Sequence, residues 1–350
     1  MRVLLTGSAG FIGTAIATQL ERENHEVVRI DVMLPNAHGA SEAPEGTLRL
    51  DVRNAATDPA WADALSGVDV VCHQAAVVGA GVHVADLPEY AGHNDLGTAA
   101  LLAAMHVADV TRVVLASSMV VYGEGRYACP QHGDQQPSPR PMEALEAGDF
   151  DNHCPQCGET LTWEVVSEDA RLDPRSSYAA SKLAQEHYTS SWVRQAGGTA
   201  VALRYHNVYG PGMPRNTPYS GVAAMFRSSL EQGRAPQVYE DGGQVRDFVH
   251  VADVARANVL ALQALSAGDA RGFATYNVCS GTPISILDVS CQVAAGSAHD
   301  LAAEVTGAFR PGDVRHIVAS PARAAAELGF VASVPPEQGL REFATAPLRA

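Results

Sequence analysis

The sequence predicts an α/β fold, a doubly wound parallel sheet followed by a smaller C-terminal lobe, and three observations carry that expectation. Short runs rich in Val, Leu and Ile alternate with helical stretches up to Tyr205, the pattern of parallel strands buried on both faces. The opening segment is a strand–turn–helix–strand unit with glycines at its turn. Beyond Asn207 the pattern changes to a loop, Gly210-Pro211-Gly212-Met213-Pro214, and then to shorter mixed elements. At 350 residues, 46% hydrophobic and 18% charged, the chain suffices for one large domain or two closely joined ones.

Arg2 to Thr6 is a short apolar strand, and Gly7-Ser8-Ala9-Gly10-Phe11-Ile12-Gly13 opens a helix expected to reach about Glu23. Further strands are expected at residues 27–31, 47–50, 68–73, 113–117 and 200–205. Between Gly123 and Asp173 the composition shifts to prolines and cysteines, which marks an insertion with local order of its own. No internal repeat is visible.

Lys and Arg total 24 against 39 Asp and Glu, and 24 − 39 = −15. Nucleic-acid phosphate would repel so acidic a chain, and no basic patch offsets this, so no nucleic-acid partner is expected. Apolar runs such as Val110 to Val121 are interrupted well short of the roughly 20 residues that cross a bilayer, so no membrane association is expected. Met1-Arg2 leads into the first strand without a signal-peptide layout, which implies a cytoplasmic protein. There, six cysteines are poor disulfide candidates.

Glycines at a helix start let a pyrophosphate reach free backbone N–H groups. Gly7, Gly10 and Gly13 have the spacing G-x-x-G-x-x-G, a variant of the dinucleotide fingerprint, and Asp31 closes the second strand 18 residues past Gly13. A carboxylate there accepts hydrogen bonds from the adenosine ribose and repels a 2′-phosphate, which favours NAD over NADP. Asp51 could meet the adenine amino group or serve as a turn cap. The expected organisation is a Rossmann-type NAD-binding domain over 1–205, with an insertion at 124–172 and a return at 247–273. Residues 206–246 and 274–350 would form the substrate-binding domain.

Tyr178 and Lys182 stand at i and i+4, on one face of a helix. A phenol with a pKa of about 10 is a poor base at neutral pH, and a neighbouring ammonium together with an oxidised nicotinamide favours the phenolate. Ser117-Ser118 ends a strand and offers a hydroxyl that could share the substrate oxygen with Tyr178.

In these features the chain resembles the extended short-chain dehydrogenases/reductases, the nucleotide-sugar epimerase/dehydratase family. The resemblance rests on Thr6 to Gly13, His73-Gln74-Ala75-Ala76, Asn94 to Thr98, Ser117-Ser118-Met119-Val120-Val121-Tyr122-Gly123 and Tyr178 to Lys182. It continues through Arg204-Tyr205-His206-Asn207-Val208-Tyr209-Gly210-Pro211, Arg246 to Val251 and Arg310 to Asp313. It implies Tyr178 as the acid/base, Lys182 as the residue that holds the nicotinamide ribose and tunes Tyr178, and Ser118 as the partner of the reacting hydroxyl. It implies a tightly bound NAD contacting Gly7, Gly10, Phe11, Ile12, Gly13, Asp31, Asp51, Val52, Ala75, Ala76 and Asn94 as well. The implied substrate, a UDP- or dTDP-sugar, would touch Ser118, Met119, Asn207, Val238, Tyr239, Arg246 and Arg310. Guanidinium forks suit its diphosphate. A homodimer is implied too, through the helices after Asn94 and from Tyr178 to Arg194.

Members of this family begin by oxidising a sugar carbon, and the later steps depend on the other acids and bases. Dehydratases of the family carry an Asp-Glu pair after the Ser/Thr, where this chain has Met119 and Val120, which transfer no protons. Decarboxylating relatives carry Glu where Val120 stands. The expectation is therefore NAD-dependent 4-epimerisation of a dTDP-deoxyhexose or UDP-hexose. The alternatives are an NAD(P)H-dependent reductase of a nucleotide-4-keto-6-deoxyhexose and a non-enzymatic NAD sensor. His206 replaces a usual Phe; its ring could touch the sugar or cofactor, and the favoured expectation is that it packs with a backbone partner. Val78 replaces the Lys of galactose-metabolising epimerases, which points to a specialised sugar.

Cys129-Pro130-Gln131-His132-Gly133 and Cys154-Pro155-Gln156-Cys157-Gly158 are paired C-P-x-[C/H]-G knuckles. Cys129, His132, Cys154 and Cys157 make a closed Cys₃His set for a structural zinc, with His153 as an alternative to His132. Such a site would pin a loop near the substrate pocket. Cys72, Cys279 and Cys291 are expected in the core.

Overall fold

Seven parallel strands form the central sheet, in the spatial order Phe273–Val278, Thr199–Tyr205, Arg112–Ser118, Val70–His73, Arg2–Thr6, Glu26–Ile30, Thr47–Leu48. The computed structural model describes residues 1–39, 41–79, 81, 83–215, 221–299 and 301–349. Successive strand residues point to opposite faces. Val3, Leu5, Val70 and Cys72 therefore pack under the helices Phe11–Arg22 and Val251–Ala267, while Leu4, Val71 and Val113 meet Gly97–Val107 and Ser177–Ala196. From Arg2–Thr6 the chain builds strands to one side, then returns to build from Val70–His73 on the other. That reversal opens a crevice at the carboxyl ends of these two strands, where ligands of doubly wound sheets bind.

The smaller lobe wraps three helices, Val222–Glu231, Ile286–Ala295 and Pro336–Phe343, around Tyr209, Phe226, Phe248 and Leu340. Its sheet is Asn207–Tyr209, Val245–His250 and Pro283–Ser285. The insertion folds as a three-stranded antiparallel sheet with Arg126–Cys129 between Gly133–Gln135 and Thr162–Glu164.

Two expectations need correction. The return to the main sheet runs from the helix starting at Val251 through the edge strand Phe273–Val278, so residues 247–250 belong with the smaller lobe and 274–278 do not. The edge strand escapes notice because its pattern, Phe-Ala-Thr-Tyr-Asn-Val, lacks the continuous apolar run of a central one. Cys291 is exposed, on the side of its helix away from Val289, Val293 and Ala294, whereas Cys72 and Cys279 are buried. All six cysteines are unpaired.

Candidate active site

A cavity of about 650 Å³ occupies the crevice between the sheet and the smaller lobe. Its floor is the first turn of the chain. Gly7 has φ +67°, and a Cβ there would lie 2.8 Å from the Ala75 nitrogen; a Cβ on Gly13 would collide with the Gly7 carbonyl oxygen. Gly10 caps the helix Phe11–Arg22 without a side-chain hydrogen bond, so the amides at the helix start keep room for a ligand. This is a cradle that side chains would fill, and it fits a dinucleotide pyrophosphate. Phe11, Ile12, Val52, Ala75 and Ala76 line the same cavity.

Asp31 lies at the adjacent strand end and accepts the Ala9 amide at 3.1 Å and the Met33 amide at 2.8 Å, with His38 Nε2 3.4 Å away. Burial would raise its carboxyl, but the His38 ring and the two amides outweigh that and hold it below the usual carboxylate range. Asp51 also borders the cavity while capping the turn Val52–Asn54, where it accepts the Arg53 amide at 2.9 Å and pairs with the Arg53 guanidinium at 2.6 Å. Asn94 does not face the cavity. Its amide oxygen accepts from Val77 N, and its amide nitrogen donates to Val77 O and Ser181 Oγ, which holds the loop beside the site.

The helix Ser177–Ala196, capped by Ser176 Oγ on the Ala179 amide, carries Tyr178 and Lys182 to the cavity. Lys182 Nζ donates to Ala116 O at 3.0 Å and stands 5.9 Å from the centre of the Tyr178 ring. Burial pushes the Lys182 ammonium down to about 7, against the pull of Glu186. Burial pushes the Tyr178 phenol up, opposed by its hydrogen bond with Ser118. Ser118 also accepts the Val120 amide at 3.4 Å. Beneath this group, Ser117 Oγ donates to Glu186 at 2.5 Å, and Arg204 grips the same carboxylate at 2.9 and 2.8 Å. Sequence reasoning missed Glu186 because a lone Glu on a helix carries no signal of its buried partner.

The cavity is also lined by Met119, Asn207, Tyr239, Arg246 and Arg310, whereas Ser118 lies outside its lining, behind Tyr178. Arg310 lies over the Tyr239 ring, 5.2 Å from its centre. Arg246 donates to the carbonyls of Val245, Val314 and Arg315 at 2.9, 2.6 and 2.9 Å, which fixes its guanidinium in the wall. Val238, expected at the substrate, is instead packed in the core of the smaller lobe, and its neighbour Tyr239 faces the cavity. His206 lines the cavity beside Asn207, with little of it exposed to bulk solvent, and its amide donates to Val278 O. Neither of its ring nitrogens has the expected backbone partner.

In the insertion, the ligand atoms of Cys129, His132, Cys154 and Cys157 all lie within 4.8 Å of one another. Cys129 Sγ is 3.5 Å from His132 Nδ1 and 3.6 Å from Cys157 Sγ, and Cys154 Sγ is 3.5 Å from His132 Nδ1. A tetrahedron with Zn–S bonds of about 2.3 Å has edges of about 3.8 Å, so the donor set fits zinc in size and chemistry. His153 is engaged elsewhere, by Asp149 at 2.9 Å.

A glycine cradle at the switch point of a doubly wound sheet, faced by a Ser–Tyr–Lys group, defines an extended short-chain dehydrogenase/reductase. The chain belongs to the NAD dependent epimerase/dehydratase family, which it matches over residues 3–144 and 156–279. The unmatched residues between these stretches lie within the insertion. The chain is 34% identical to the dTDP-L-rhamnose 4-epimerase of Burkholderia thailandensis, over 98% of this chain and 94% of that protein. Among solved structures, the UDP-glucose 4-epimerase of Thermus thermophilus in complex with NAD is 31% identical, with a TM-score of 0.74 and 98% of both chains covered. MoeE5 in complex with UDP-glucuronic acid and NAD is 28% identical, with the same TM-score and coverage.

Proposed function

We propose that this protein is an NAD-dependent 4-epimerase of a nucleotide-linked hexose, either a dTDP-deoxyhexose or a UDP-hexose. The observation that carries the reading is the Tyr178–Lys182 pair at the cavity with Ser118 hydrogen-bonded to Tyr178, Ser118 being followed by Met119 and Val120 where dehydration or decarboxylation would need acids. NAD, when bound, supplies a reversible hydride acceptor for sugar C4 and a positive charge beside the phenol. Tyr178 takes the C4 hydroxyl proton as a phenolate. Ser118 shares that oxygen, and Lys182 holds the ribose and opposes the rise that burial imposes on the phenol. When the 4-keto sugar has turned over about its diphosphate, Tyr178 returns the proton and the opposite C4 configuration results. Arg246 and Arg310 hold the diphosphate through this turn, Tyr239 lies along the nucleobase, and Met119 and Asn207 border the sugar. The test is incubation of UDP- and dTDP-hexoses with no added cofactor, with products resolved by NMR. Interconversion of C4 epimers is expected; conversion only of 4-keto sugars with NAD(P)H supplied would overturn the reading in favour of a reductase.

We also assign a structural zinc to Cys129, His132, Cys154 and Cys157. Four protein ligands close the coordination sphere, so the ion has no place for a reactive water. The insertion is tied to the substrate wall. Arg140 pairs with the cavity residue Glu240 at 2.8 Å, and Arg315 pairs with Glu240 at 2.9 Å and with Asp151 at 3.0 Å. Elemental analysis of protein purified without added metal should find about one zinc per chain; its absence from active protein would remove the assignment.

Two further readings complete the proposal. The molecule is a homodimer through the helices Gly97–Val107 and Ser177–Ala196, around which Leu96, Val107 and Tyr188 are exposed. It works in the cytoplasm; among the described residues no helix is long and apolar enough to cross a membrane. Light scattering tests the first, and fractionation of cells the second.

A further inference from the structure

The segment after the helix Pro336–Phe343 stays packed on the smaller lobe, with Ala346 and Leu348 against its core, and runs along the cavity rim. It pairs with the loop that follows the Asn207–Tyr209 strand: Gly212 N donates to Pro347 O at 2.8 Å, Arg349 N to Met213 O at 3.0 Å and Arg215 N to Arg349 O at 3.0 Å. From there the Arg349 side chain reaches the first turn of the chain. Its Nη1 donates to Ala9 O at 2.7 Å and its Nη2 to Ala37 O at 3.3 Å. Ala9 lies within the glycine cradle and its amide binds Asp31. Ala37 belongs to the helical turn Pro35–His38, which also carries His38 against Asp31. One guanidinium therefore joins the cradle, the Asp31 loop and the smaller lobe. Met213, Pro214 and Arg349 all line the cavity.

We infer that Arg349 is a cofactor-retaining clamp, which locks the adenosine end of the dinucleotide site by pinning the C-terminal segment across it. The inference rests on the NAD reading above and deepens it. A 4-epimerase returns the hydride within each turnover and has no need to exchange its cofactor, so a wall hydrogen-bonded shut at the adenosine end serves that chemistry. A reductase must release its cofactor every cycle and would be slowed by the same contacts. Guanidinium geometry suits the task because two N–H groups on one plane reach two carbonyls in different elements. The buried Nε–H has no partner in the protein and lies beside the same cavity.

The test measures NAD itself. Wild type, Arg349→Ala and Arg349→Met (which keeps an aliphatic stem) are passed through gel filtration and denatured, and the released NAD is quantified; NAD dissociation is followed in parallel. Wild type should hold nearly stoichiometric NAD. Both variants should lose most of it and bind added NAD about tenfold or more weakly, the loss of charge-assisted hydrogen bonds, and saturating NAD should raise their melting temperature less than it raises that of wild type. Equal NAD content and dissociation rate in wild type and both variants would overturn the clamp alone. Failure of wild type to hold NAD or to gain thermal stability from it would overturn the NAD reading and the clamp together.

Discussion

Tyr178 is asked to act as a base from a buried position that raises its proton affinity, so its chemistry depends on neighbours. Tyr178→Phe should lower turnover by about 10²–10⁴-fold, the usual worth of a positioned acid–base group, while the purified protein still releases NAD on denaturation. Retained turnover would show that the proton moves elsewhere. His206 makes a different kind of residue-scale prediction. Its ring lines the cavity and neither nitrogen is bonded within the protein, so both can meet a ligand or water there. His206→Phe should therefore change KM for the nucleotide sugar or the affinity for NAD, measured on the same sample, more than it changes the melting temperature at pH 7. The sequence marked His206 as unusual but suggested a satisfied ring; partner atoms set by residues far apart in the chain are not written in local pattern.

At the scale of elements, the insertion was legible because two knuckles repeat the same five-residue pattern, and their four ligands do converge. Its attachment was not legible. Arg140 and Asp151 look like ordinary surface charges in the sequence, yet their partners Glu240 and Arg315 come from the other lobe and are buried. Breaking that attachment should be felt at the substrate and not at the cofactor. Arg140→Ala is expected to raise KM for the nucleotide sugar severalfold and to destabilise the fold by about 1–3 kcal/mol. Zinc and NAD content, measured on the same sample, should not change. Cys129→Ser should shift KM in the same direction with zinc lost. The glycine turn and the Tyr–Lys helix were equally readable, since each depends on short fixed spacings. The roles of Asn94, which braces the backbone of Val77, and of Val238, which points into a core, depend on which way one side chain turns.

At the scale of the whole molecule, acid should unfold this protein through its histidines. Burial pushes His73, His206 and His316 down to about 3, so they are neutral in the fold and protonate on unfolding below their ordinary value of about 6.5. Their depressed folded pKa values mean that stability is intact above pH 6.5 and is lost as pH falls from there towards 3, with each histidine contributing up to about 1.4 kcal/mol per pH unit. Denaturant titrations between pH 7 and 4.5 check this, and a flat profile would show that these rings protonate within the fold. His73 sits between Thr6 and Thr98 hydroxyls at 2.7 and 3.0 Å, so the centre of the sheet and the helix Gly97–Val107 share its fate.

The edge strand Phe273–Val278 lies against Thr199–Tyr205 although the smaller lobe has been started between them. Each lobe is thus interrupted by the other, and no single cut of the polypeptide separates them. A fragment ending at Tyr205 would keep the cofactor cradle and the Tyr–Lys pair but would present a naked, apolar strand to every other copy in solution, an invitation to aggregate. During synthesis the same strand emerges from the ribosome well before its neighbour does, so Thr199–Tyr205 stays unpaired along that side until Phe273–Val278 has been made.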